Sequence, residues 1–174
     1  MRTRSNIFLV GPMGAGKTTV GRRLAELRGL QFADSDHAVE ERTGVDIAFI
    51  FEKEGEAGFR RREKLVIAEL TAAQGLVLAT GGGTVLDADN RRHLAARGFV
   101  VYLRASIEHQ LRRTGRTDSR PLLQSGNPRE TLERLFALRD PLYREVADLT
   151  LDADGANARG LAQDISRHIV AVPA

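Results

Sequence analysis

The chain has 174 residues, 42% of them hydrophobic and 28% charged, a balance that predicts one globular domain over residues 1–174 and excludes disorder and collagen-like repeats. It holds no cysteine, which removes disulfides, thiolate metal sites and cysteine nucleophiles, and no apolar run that reaches the 18 or so residues a membrane span needs. Basic residues outnumber acidic ones by 26 to 23, and the sequence pI near 9.8 reflects how few lysines and tyrosines can lose protons in the alkaline range, so it is no argument for a nucleic-acid partner.

Short apolar runs alternate with longer segments of helical period, the pattern of a parallel sheet covered by helices on both faces, so the predicted class is α/β. The first strand is read at Asn6 to Val10, too short and too soon followed by glycines for a signal peptide, and a cytoplasmic protein with no membrane partner is expected. Directly after it, Gly11-Pro12-Met13-Gly14-Ala15-Gly16-Lys17-Thr18 satisfies G-x-x-x-x-G-K-[ST] at the head of a helix predicted over Lys17 to Arg28. Glycines at Gly14 and Gly16 let consecutive N–H groups, that of Ala15 included, turn inward as a nest for phosphate, and the helix adds the positive end of its dipole. Lys17 is placed to bridge the β- and γ-phosphates, Thr18 to ligate Mg²⁺, and Thr19 to make a further phosphate contact.

The second strand, Gln31 to Asp34, runs into Asp34-Ser35-Asp36 and a helix over Asp36 to Arg42. If the backbone stays extended, Asp34 and Asp36 point the same way, one toward the metal and one toward a substrate; Asp36 also reads as an N-cap. A helix over Glu54 to Ala73 carries Arg60-Arg61-Arg62, of which at most one or two can enter a cleft. The third strand, Leu76 to Ala79, ends in Thr80-Gly81-Gly82-Gly83 with no acid at its tip, and bare glycines at a strand's carboxyl end suit a ligand touching backbone. A helix over Asp87 to Arg97, a strand at Phe99 to Leu103 and a helix over Ser106 to Arg113 follow. The aperiodic stretch from Thr114 to Asn127 reads as a mobile lid with hinges at Gly115 and Gly126, and Arg120 on it could bring charge to a transferring phosphoryl. The last elements are a helix over Arg129 to Val146, with Pro141 predicted to kink or break it beside Arg139, a strand at Leu149 to Leu151 and a helix over Ala156 to Val170. The four histidines lack ligand spacing and read as surface or helix-end residues.

Taken together, the phosphate loop with Thr19, Asp34-Ser35-Asp36, Gly58-Phe59-Arg60, Ala79-Thr80-Gly81-Gly82-Gly83, Arg120-Pro121-Leu122-Leu123 and Arg139-Asp140-Pro141-Leu142-Tyr143 resemble the shikimate kinase family over nearly the whole chain. The resemblance implies a P-loop kinase fold, three layers around a five-stranded parallel sheet of order 2-3-1-4-5, and phosphorylation of the shikimate 3-hydroxyl by MgATP. It implies Asp36 on the substrate hydroxyls, Arg60 and Arg139 on the carboxylate, and Gly82 against the ring. It likewise implies the lid Arg120 on ATP, Thr18 and Asp34 at magnesium, and an adenine contact near Ala156, where this chain lacks the usual Arg/Asn/Pro pattern and Arg113 is a candidate for stacking. A monomer is expected. The rivals are a kinase for another small hydroxylated metabolite such as gluconate, and a nucleotide-dependent binding protein with no acceptor.

Overall fold

The computed structural model describes residues 5–114 and 126–171. Five parallel strands, β1 (Ile7–Val10), β2 (Gln31–Asp34), β3 (Leu76–Ala79), β4 (Phe99–Arg104) and β5 (Leu149–Asp152), lie in the order β2-β3-β1-β4-β5. The register sets Leu9 beside Ala79 and Val101, so the central strand is covered on both edges, and all four of its residues are buried.

Because side chains alternate across a strand, the run Ile7-Phe8-Leu9-Val10 feeds two cores at once. Ile7 and Leu9 join Val77, Val101 and Leu103 on the face covered by α1 (Lys17–Arg28) and α7 (Ala158–Ala171). Phe8 and Val10 join Leu78, Val100 and Tyr102 on the other face, under α3 (Ile47–Ala72), α4 (Ala88–Arg97) and α6 (Pro128–Val146). The helix α2 (Ser35–Thr43) and the start of α3 close a third, smaller cluster around Val39, Ile50, Phe59 and Val66. The helix α5 (Ile107–Thr114) leads out of β4, and a 3₁₀ turn at Thr84–Leu86 follows the triple glycine.

Two expectations are corrected and a third is narrowed. The helical segment expected from Glu54 begins at Ile47, where Asp46 caps it by accepting from the Phe49 N–H at 2.8 Å, and Gly55 (φ 73°, ψ 179°) breaks it into two pieces. Pro141 does not end its helix: α6 runs on to Val146, its buried face of Leu132, Arg139, Tyr143 and Val146 outweighing the lost backbone bond. His109 is buried, with its ring 3.8 Å from Asp154, rather than lying at the surface. The expected lid arginine Arg120 and the hinge Gly115 lie outside the described residues. Among the described residues no helix is long and apolar enough to cross a membrane.

Candidate active site

Parallel strands put all five carboxyl ends on one edge, and the loops that leave β1, β2 and β3 meet there. Gly11 opens the first loop at φ 145°, and a Cβ on it would stand 2.3 Å from the Leu103 carbonyl oxygen, so neither its conformation nor its surroundings admit a side chain. Gly16, at φ 88°, is the N-cap of α1 and offers no side chain to the first-turn N–H groups, which therefore face the loop with the positive end of the helix dipole. The result is an anion cradle. Lys17 folds back over it, its Nζ donating to the carbonyls of Gly11 at 2.6 Å and Pro12 at 2.9 Å. Gly14, Thr18 and Thr19 line the same crevice, whereas the Ala15 side chain is buried in the core and leaves only backbone to a ligand.

Thr18 donates its hydroxyl to Asp34 Oδ2 at 2.6 Å, and the other Asp34 oxygen accepts from the N–H groups of Asp36 (3.0 Å) and His37 (3.2 Å). Asp34 is thus the N-cap of α2, and the capping role considered for Asp36 belongs to its neighbour. The helix starts at Ser35, so the two acids do not share one extended run, yet both border the crevice. A hydroxyl and a carboxylate oxygen, side by side, are the hard donors that Mg²⁺ accepts while keeping most of its waters. Among the described residues no group of three or more His, Cys, Asp or Glu forms a cage that could hold an ion by itself.

The crevice has a volume of about 1040 Å³ and reaches from the phosphate loop to a wall built by α2, α3, α6 and the loop after β3. Asp36 faces it with its carboxyl pushed up to about 7, first by burial and then by the charges of Glu63 and Asp34, while Lys17 and Arg60 pull the other way. Arg60 donates to Glu63 Oε1 at 2.9 Å and to Glu56 Oε1 at 3.3 Å, its guanidinium 5.1 Å from the centre of the Phe59 ring. Arg62 instead makes a bidentate pair with Glu54 at 2.9 and 2.8 Å, and Arg61 is exposed, so one member of the basic triplet enters the crevice. Arg139 also lines it although only 4% exposed, and burial holds its guanidinium below the usual arginine range.

The triple glycine seats these side chains. A Cβ on Gly81 would lie 2.7 Å from Asp36 Oδ1 and 3.0 Å from Glu63 Oε2; one on Gly82 would lie 3.3 Å from Arg139 Nη1; one on Gly83 would lie 2.3 Å from Arg60 Nη2. Sequence reasoning missed Glu63, which is 1% exposed and ties Arg60 to the Thr84 hydroxyl, donated to Glu63 Oε2 at 3.0 Å. The available signal was an acid on the apolar face of α3, in step with Phe59, Val66 and Ile67. It also missed the Tyr143 hydroxyl, which donates to the Gly82 carbonyl at 2.6 Å. Arg113 borders the crevice, its Nη1 3.5 Å from where a Cβ on Gly16 would stand; Ala156 lies exposed in the turn after β5 and is not on the crevice wall.

A family model described as shikimate kinase matches residues 13–170. The shikimate kinase of Methylococcus capsulatus is 59% identical over 165 residues, 95% of this chain and 92% of that protein. The structure of the shikimate kinase of Acinetobacter baumannii in complex with shikimate superposes with a TM-score of 0.93 at 58% identity, covering 95% of this chain and 92% of that one. A gluconokinase of Sinorhizobium meliloti, at 17% identity and a TM-score of 0.61 over 98% of this chain and 94% of its own, shares the fold alone.

Proposed function

This chain belongs to the shikimate kinase family, and from that premise we propose that it transfers the γ-phosphoryl of ATP to the 3-hydroxyl of shikimate, giving shikimate 3-phosphate and ADP on the route to chorismate and the aromatic amino acids. The observation that carries the reading is one crevice with a phosphate cradle at one end and, at the other, Arg60 and Arg139 beside the half-buried Asp36.

Backbone N–H groups of Gly14, Ala15 and Gly16, with Thr19, receive the phosphates of ATP, and Lys17 lays its charge on the β- and γ-oxygens. Thr18 and Asp34 hold Mg²⁺, which when bound neutralises charge on the phosphates. Arg60 and Arg139 grip the shikimate carboxylate, a task suited to planar, bidentate donors, and Gly82 presents bare backbone to the ring. Those contacts fix the 3-hydroxyl against Asp36, which accepts its hydrogen bond and takes its proton on a carboxylate oxygen as the phosphoryl departs from ADP. A carboxyl titrating near neutrality suits that duty, and positioning supplies most of the acceleration because the loose transition state asks little of a base. Arg120 adds charge at the transferring group, and the backbone near Ala156, with Arg113, borders adenine. The enzyme works as a single domain, a monomer, in the cytoplasm.

The test is ADP formation from MgATP with shikimate, with gluconate and with no acceptor. Release that depends on shikimate is expected. Release that depends on gluconate, or that proceeds equally with no acceptor, overturns the assignment.

A further inference from the structure

The motif Arg139-Asp140-Pro141-Leu142-Tyr143 contributes more to the crevice than its arginine. Tyr143 stands four residues after Arg139 on α6, so the two share one face of the helix, and Tyr143 is 1% exposed. Its hydroxyl proton goes to the Gly82 carbonyl at 2.6 Å, which leaves its oxygen lone pairs for the Arg139 guanidinium, whose charged form the neighbouring Tyr143 favours. A Cβ on Gly82 would meet Arg139 Nη1 at 3.3 Å, the Met13 nitrogen at 3.7 Å and the Gly11 carbonyl oxygen at 3.8 Å, so the guanidinium and the phosphate loop converge on this glycine. A buried hydroxyl is therefore bonded to the same glycine against which the Arg139 guanidinium rests.

The ring below that hydroxyl is fixed from the sheet. Tyr102 on β4 packs against it with centroids 4.9 Å apart, and the Tyr102 hydroxyl donates to Asp140 Oδ1 at 2.7 Å, while Arg144 Nε donates to Asp140 Oδ2 at 2.9 Å. The ring contact, which does not need the Tyr102 hydroxyl, holds the Tyr143 side chain, while the bonds to Asp140 tie α6 to the sheet. Arg139 needs such a partner: its Nε is buried with no hydrogen bond among the described residues, and no acid forms an ion pair with its guanidinium there. A buried cation with no carboxylate of its own is free to take one from a ligand, provided something else fixes its geometry.

We propose that Tyr143 is a positioning residue for the acceptor: its hydroxyl locks the Arg139 guanidinium to the Gly82 carbonyl and pre-sets the carboxylate site before substrate arrives. The inference rests on the functional reading above. It predicts that Tyr143→Phe, which keeps the ring and its contact with Tyr102, raises the KM for shikimate by about ten-fold and leaves the KM for ATP within about two-fold, the loss expected for one hydrogen bond to a charged group. Tyr102→Phe deletes the hydroxyl bond from β4 to Asp140 on α6, keeps the ring contact, and is the control, expected to lower thermal stability without moving the KM for shikimate.

The deciding measurement is a double-mutant cycle. If Tyr143 acts through Arg139, then Tyr143→Phe in an Arg139→Ala background adds no further increase in the KM for shikimate; independent, additive effects overturn the proposal. So does an equal rise of both KM values, or a rise matched by Tyr102→Phe. Nuclear magnetic resonance on the wild-type protein gives a readout that needs no variant: a slowly exchanging Tyr143 hydroxyl proton with a cross-peak to the Arg139 Nη protons is expected, and its absence refutes the bridge. Failure of the wild type to release ADP in a shikimate-dependent manner removes the functional reading and this inference with it, whereas an active wild type with an unaffected Tyr143→Phe variant removes the inference alone.

Discussion

Burying Asp36 costs the fold stability once the carboxyl ionises, and the cost can be measured. Its carboxyl moves from 3.8 to about 7 in the folded protein, so between those values the native state holds a proton that the unfolded chain releases. Stability contributed by that proton is complete below pH 3.8 and is lost as the pH rises toward 7. At about pH 8 the ionised carboxylate costs the fold up to about 4 kcal/mol, and the water that the open crevice admits reduces this to about 1–3 kcal/mol. Asp36→Asn keeps the shape and removes the charge. For a protein of this size it is expected to raise the melting temperature by about 3–10 °C at pH 8, with the advantage shrinking to nothing near pH 4, while abolishing shikimate-dependent turnover. The assay is thermal unfolding of both proteins across that pH range, followed as the difference between them. A variant that melts at the wild-type temperature at pH 8, or above it by the same margin at every pH, refutes the claim that burial and the neighbouring acids press on this carboxyl.

Arg60→Ala and Arg139→Ala should each raise the KM for shikimate by an amount worth about 2–4 kcal/mol and leave the KM for ATP nearly unchanged; steady-state kinetics with either substrate varied decides it, and an unaltered KM for shikimate in both variants removes the clamp. Arg60→Ala also strands Glu63 in the interior, so its melting temperature should fall further than that of an exposed variant such as Arg61→Ala. Gly11→Ala forces a side chain into a positive-φ position and against the Leu103 carbonyl, and a loss of at least about 2 kcal/mol in urea denaturation is expected; a fall of less than half of that shows that the loop can yield. Removing divalent ions with a chelator should stop ADP release and restoring Mg²⁺ should recover it, with Thr18→Val needing a higher Mg²⁺ concentration than wild type for half-maximal rate.

Periodicity and turn chemistry located β2 and β3 to the residue, because their bounds coincide with charged or glycine-rich turns. Asn6 shows where such reasoning stops. The sequence pattern makes it the first strand residue, but β1 starts at Ile7 and the Asn6 side chain is spent on tertiary clips, accepting from the Leu76 N–H at 3.0 Å and donating to the Ala73 carbonyl at 2.6 Å. Ile47–Glu54 was missed for a similar reason: Gly55 interrupts the helical period, and the apolar residues before it form a helix because α2 offers them Val39 to pack on. In the site, the phosphate loop was legible since its glycines and lysine form a local pattern with a local cause. Asp36, Arg60 and Arg139 were legible as chemistry, but their meeting in one crevice depends on three separate helices. Glu63 was marked only by being an acid on an apolar helix face, and the Tyr143 hydroxyl was not marked at all, because the partner that a buried polar atom finds is set by tertiary packing.

The loop Gly81-Gly82-Gly83 has lent its volume to side chains rooted in α2, α3 and α6. Any attempt to retarget this enzyme to a different alcohol is therefore confined to those helices: enlarging the loop evicts Asp36, Arg60 and Arg139 from the places they occupy, while editing the helices reshapes the pocket and leaves the sheet edge beneath it as it was.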